Sequence, residues 1–86
     1  MRKMNKEEFL KTELGSCMKE CVTAWDKWLI TGDRKAATWC QAQWEVYQMA
    51  IKQFYGVEYH FTRTDEYFGV VTKDESDWLL KIERSF

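Results

Sequence analysis

The chain has no proline, four glycines and a single histidine in 86 residues. No stretch is low in complexity and no internal repeat occurs, so nothing marks a linker between domains. The glycines do not gather into a phosphate-cradling loop: Gly32 and Gly56 read as helix stops, Gly15 as a helix interior and Gly69 as a strand position. Neither sign of charge dominates. Thirteen Lys+Arg against fourteen Asp+Glu leave a formal charge of −1, which argues against a constitutive nucleic-acid binder or a polybasic membrane anchor. Long apolar runs are missing too. Trp28-Leu29-Ile30 is among the longest, against roughly 20 residues for a membrane helix. Five of the first eight residues are charged, where a signal peptide would need an apolar core. The expectation is a soluble, cytoplasmic protein. The chain starts at Met1 and carries no tag, so it reads as a complete small open reading frame.

What is present is apolar and aromatic. Hydrophobic residues make up 45% and aromatics 16%, with five Trp, five Phe and four Tyr. That composition excludes a disordered chain. A mass of 10.4 kDa allows one domain, spanning residues 1–86. A chain this short buries only about 60–65% of the surface its unfolded form exposes.

The first helix starts at Asn5, a good N-cap, with Glu8 placed for a capping box and Met4 and Phe9 for a hydrophobic staple. Leu10, Leu14, Cys17, Cys21, Trp25 and Trp28 then recur at spacings of three and four, with Met18, Val22 and Leu29 widening the stripe. Gly15 either admits a close helix approach or is incidental. Gly32 stops the helix and Asp33 caps the next. In that second helix Ala36, Trp39, Cys40, Trp44, Val46, Tyr47, Ala50, Ile51 and Phe54 cover about half the circumference, as in a helix packed against two neighbours. Gly56 ends it.

Beyond Gly56 the period becomes two. Val57, Tyr59 and Phe61 form one alternating set; Tyr67 to Thr72 is aromatic and β-branched; Trp78, Leu80 and Ile82 alternate with Leu79, Lys81 and Glu83. Thr64-Asp65-Glu66 and Lys73-Asp74-Glu75-Ser76 read as turns. The predicted fold is α+β in the order ααβββ: an antiparallel helix pair (about 5–55) packed on a three-stranded antiparallel meander (about 57–84).

Catalytic chemistry finds little support. Cys17, Cys21 and Cys40, with His60, are the weak candidates for a Cys₃His zinc site. The cysteines fall on apolar stripes and His60 on the polar side of its strand, so core packing is the default for the thiols and no cofactor is expected. An odd cysteine count without a secretion signal favours reduced thiols. The same burial argues against a Cys/His nucleophile. Asp65 and Glu66 at one turn, and Asp74, Glu75 and Asp77 at the other, lie a strand length apart, roughly 20 Å. They cannot merge into one patch, although either end can join an interface. The basic residues Arg2, Lys3, Lys6, Lys11, Arg34 and Lys35 form no continuous stripe.

The aromatic surplus carries the functional expectation. Two helices and three short strands do not readily hide fourteen rings, so some remain exposed as binding anchors. The candidates are Trp25, Trp28, Trp39 and Trp44 at the margins of the helical stripes, and Tyr67 with Leu79 on the outer sheet face. Asp65 and Glu66 are the acidic candidates for the same role.

The stretch His60-Phe61-Thr62-Arg63-Thr64-Asp65-Glu66-Tyr67-Phe68-Gly69-Val70, with Asp77-Trp78-Leu79-Leu80-Lys81-Ile82-Glu83-Arg84, resembles a block in small proteins of phages and mobile elements of gut Clostridia. The resemblance covers about the last third of the chain and carries no established active site. It implies a genomic setting in which small single-domain proteins often inhibit a host machine, anti-CRISPR proteins among them. The expectation is therefore a non-enzymatic protein-binding module, a stoichiometric inhibitor of a host defence nuclease such as a CRISPR effector, with a homodimer as a further possibility. The alternative is a nucleic-acid-binding accessory or regulatory protein, acting as a dimer.

Overall fold

A computed structural model describes residues 5–84, and the Arg2, Lys3 and Met4 expectations lie outside that range. Among the described residues three helices precede three strands: α1 (Lys6–Lys11), α2 (Glu13–Thr31), α3 (Arg34–Tyr55), β1 (Tyr59–Arg63), β2 (Tyr67–Thr72) and β3 (Trp78–Glu83). The strands form an antiparallel sheet in the order β1-β2-β3. The α+β architecture, helices followed by a meander, is as the periodicities predict.

The first helix is broken where the sequence suggested continuity. Asn5 caps α1 by accepting from the Glu7 N–H at 2.8 Å. At Thr12 the backbone turns extended, with φ −73° and ψ 164°. The Thr12 hydroxyl donates to the Phe9 carbonyl at 2.6 Å and accepts from the Gly15 N–H at 3.1 Å. One side chain thus closes α1 and caps α2. Gly15 is what permits the break, because a Cβ there would run into the Phe9 carbonyl and the Leu10 backbone. It admits a close approach and is not incidental. The break folds Phe9 inward, where its ring meets Tyr55 at 5.6 Å. Phe9 is a fully buried core residue, more than a terminal staple.

Gly32 and Gly56 stop α2 and α3 in the left-handed conformation, at φ 81° and 75°, where a side chain would be strained. Asp33 caps α3 by accepting from the Ala36 N–H at 3.1 Å. The core lies between the helix pair and one sheet face. Met18, Val22, Trp44, Ile51, Tyr59, Val70 and Leu80 belong to it.

The third strand departs from simple alternation. Val70 faces Leu80, but Val71 faces Trp78, so β3 carries one extra residue at Leu79. Such a bulge reverses the phase of the strand ahead of it. Leu79 therefore turns into the core at 3% exposure. Trp78 turns outward beside Tyr67, ring centroids 5.3 Å apart. The inward assignment of Trp78 and the outward assignment of Leu79 are both corrected by this one residue.

A buried ionic cluster ties α2 to the sheet. Asp26 is buried and accepts from Arg84 at 2.6 and 2.7 Å and from the Arg63 Nε–H at 2.8 Å. Burial alone would push its carboxyl up. The hydrogen bonds and charges of Arg84 and Arg63 outweigh that effect and hold it below the ordinary carboxylate range. At the other end of the sheet, Asp77 pairs with Lys6 and accepts from the Tyr59 hydroxyl at 2.7 Å, which fixes α1 over the second turn.

Candidate functional site

A concave surface runs along the side of the helix pair turned away from the sheet. It is a groove of about 640 Å³, with Trp28, Trp39 and Tyr47 among its walls and Cys17, Cys21 and Cys40 along its length. Glu20, Asp33, Lys35 and Gln43 supply polar groups there. Helical spacing explains the arrangement. On α2, Cys17, Cys21, Ala24 and Trp28 follow one another at intervals of three and four, on the flank beside the Met18–Val22 core side. On α3, Ala36, Trp39, Gln43 and Tyr47 do the same, with Cys40 next to Trp39. Two such flanks side by side leave a trough between them. Its size and mainly apolar lining match the sites that hold a protruding side chain or a small molecule.

The tryptophans expected at the stripe margins separate into three groups. Trp39 is 65% exposed, and Trp28 is half-buried with the Lys27 ammonium 5.2 Å from its ring centroid; both stand at the groove. Trp25 is not an open anchor. It stacks on Phe61 at 4.1 Å with an interplanar angle of 19°, which seals α2 against β1. Trp44 is corrected outright: at 4% exposure it is a core residue, because it points to the side of α3 that faces the sheet. Val46 is corrected in the opposite sense, being 67% exposed.

On the outer sheet face Tyr67 is half-buried. The Lys81 ammonium lies 4.4 Å from its ring and 4.9 Å from that of Trp78. The electron-rich faces of this aromatic pair are engaged by the protein's own cation. Leu79 is absent from that face. Asp65 and Glu66 are exposed at the first turn, and Asp65 shares a small cleft with Ile30, Arg63 and Arg84. Neither lines the groove, and they do not combine with the tryptophans into one site.

All three thiols line the groove, and His60 is not among its lining residues. Cys21 and Cys40 are buried and Cys17 is half-buried. The Cys21 thiol donates to the Cys40 carbonyl at 3.4 Å. Burial, with a smaller contribution from Cys40, pushes the Cys21 thiol up to about 11, and burial raises Cys40 as well. Neither supplies a ready thiolate at neutral pH. His60 stands on β1, with its Nδ1 3.4 Å from the Gln48 amide nitrogen, which also donates to the Tyr59 carbonyl at 2.9 Å. Among the described residues no three His, Cys, Asp or Glu side chains gather as a metal ion would require.

Composition alone singles out neither Met49, 68% exposed, nor the outward Trp78. The recurrence of Trp39, Ala42, Val46 and Met49 was a usable signal for the first. Nothing in simple alternation signals the second.

No helix among the described residues is long and apolar enough to cross a membrane. No protein-family model, no curated protein and no solved structure matches the chain. Its function must be argued from the surface itself.

Proposed function

We propose that this protein is a non-enzymatic binding module that inserts its helix-pair face against a larger protein and blocks a working surface there. Within the phage or mobile-element setting implied by the C-terminal resemblance, the target is a host defence nuclease of the CRISPR-effector kind. The protein then acts stoichiometrically in the host cytoplasm. The observation that carries the reading is the groove flanked by Trp28 and the exposed Trp39. Large aromatic anchors beside a desolvated pocket are the usual energetic centres of protein interfaces.

The nucleic-acid alternative receives less support. Lys6 is paired with Asp77, and Arg63 and Arg84 are paired with Asp26. Three of the cations that could meet a phosphate backbone are already engaged by the protein's own carboxylates.

The test is inhibition of target cleavage by purified effector nucleases as the molar ratio of this protein rises. The expected result is saturation near one equivalent per nuclease. Trp28→Ala and Trp39→Ala should each weaken inhibition by roughly tenfold or more, while His60→Ala leaves it unchanged. Absence of inhibition across a panel of effectors, together with unaltered plasmid interference in cells, would remove this reading.

A further inference from the structure

Helix α3 is apolar on two opposite sides. One side carries Cys40, Trp44, Ile51 and Tyr55 into the core. The other carries Trp39, Ala42, Val46 and Met49, spaced three, four and three residues apart. At 100° per residue this second stripe lies about half a turn from Trp44. All four of its side chains are exposed, and no other described element covers them. Alternation of three and four is the seam by which helices pair with helices.

We propose that the stripe pairs α3 with α3 of a second copy of this chain, antiparallel about a two-fold axis beside residue 44. Trp39 then lies opposite the partner's Met49, and Ala42 opposite the partner's Val46. Each pairing occurs twice, as the axis demands. Large meets flexible and small meets branched, and a thioether is a favourable neighbour for an aromatic ring. A shift of one heptad in one direction sets Lys35 against the partner's Val46. A shift in the other sets Ala42 against the partner's Gln53 and Trp39 against the partner's Gly56, beyond the helix end. A parallel pairing stacks Trp on Trp and Ala on Ala, so that one layer is overfilled and another is hollow. Of the antiparallel registers, the centred one sets apolar against apolar at every layer, and it also opposes the helix dipoles favourably.

The stripe buries on the order of 400–500 Å² per chain, about half the ~800 Å² of a standard interface. The dimer is therefore reversible, with micromolar or weaker affinity. Ala42 and Val46 do not line the groove, so dimerisation can be removed without touching Trp28.

Sedimentation over protein concentrations from micromolar to sub-millimolar tests the proposal. Far-UV circular dichroism confirms that each variant is folded. Wild type should shift from monomer to dimer across that range. Val46→Glu and Ala42→Lys should each weaken association by about tenfold or more. An equimolar mixture of the two variants should associate more strongly than either alone, because the antiparallel register places one Glu against one Lys. A wild type that stays monomeric throughout overturns the dimer, even if Val46→Glu then impairs nuclease inhibition, which would assign the stripe to the nuclease instead. Dimerisation indifferent to Val46→Glu, as pairing through the free edges of β1 or β3 would be, overturns it equally. Failure of the mixture to recover overturns the antiparallel register.

Discussion

Trp44 and Trp39 stand five residues apart on α3 and meet opposite surroundings. Trp44 is enclosed by the helix pair and the sheet, whereas Trp39 has solvent over most of its surface. The contrast extends to whole faces. The sheet-facing side is sealed by the Trp25–Phe61 stack, the inward Leu79 and the Asp26 cluster. The opposite side is left as a groove and an apolar stripe. The same residue type therefore stabilises the fold on one face and is available for recognition on the other. Hydrophobicity alone does not distinguish the two roles.

The sharpest way to break that comparison is to truncate both rings. Trp44→Ala should destabilise the protein by about 3–5 kcal/mol in urea unfolding, the usual effect of removing a buried Trp. Trp39→Ala should fall within about 0.5 kcal/mol of wild type. Similar losses at the two positions would mean that the helix pair has no free face.

Leu79→Ala tests the bulge. With Leu79 in the core, the loss should be about 2–4 kcal/mol. Were Leu79 on the outer face, the change would be near zero.

A smaller effect is expected at the ionic cluster. Asp26→Asn leaves two guanidinium groups partly uncompensated and should lower stability by about 2–3 kcal/mol at neutral pH, since Arg63 remains partly open to solvent. The pH dependence has a definite sign. Asp26 is held below its ordinary value of 3.8, so its contribution is fully present above that value. It is lost as pH falls through the lower folded-state value. Urea midpoints should therefore converge for wild type and Asp26→Asn as the solution is acidified below pH 3.8. A constant gap from neutral pH into that range would show that the carboxylate is not held by Arg63 and Arg84.

Much of the fold was legible because local rules operate where the chain obeys one period. The caps at Asn5 and Asp33 and the stops at Gly32 and Gly56 are each satisfied by neighbours within a few residues. The two turns and the strand order follow from the switch to alternation. Legibility ended where one residue carried a non-local consequence. Thr12 and Gly15 look like ordinary helix residues until α1 folds back over them. Leu79 looks outward until the bulge shifts the phase. For the candidate site, periodicity placed Trp28 and Trp39 correctly at a margin. It misplaced Trp44, because a stripe covering half a helix does not reveal its own centre. The second stripe on α3 was visible as an unusually wide apolar arc, but width by itself could not show that the arc was two faces.

The sequence by itself determined the elements, their order and the surplus of aromatic rings, since these depend on spacing, propensity and composition along a few turns of chain. Only the tertiary structure decided which rings are sealed and which are open, where β3 gains its extra residue, and that Asp26 meets Arg63 and Arg84. Burial and charge pairing depend on which faces meet, and the facing residues here lie up to 71 positions apart. No local pattern carries that information, because the free energy of a side chain is set by the neighbours that displace its water.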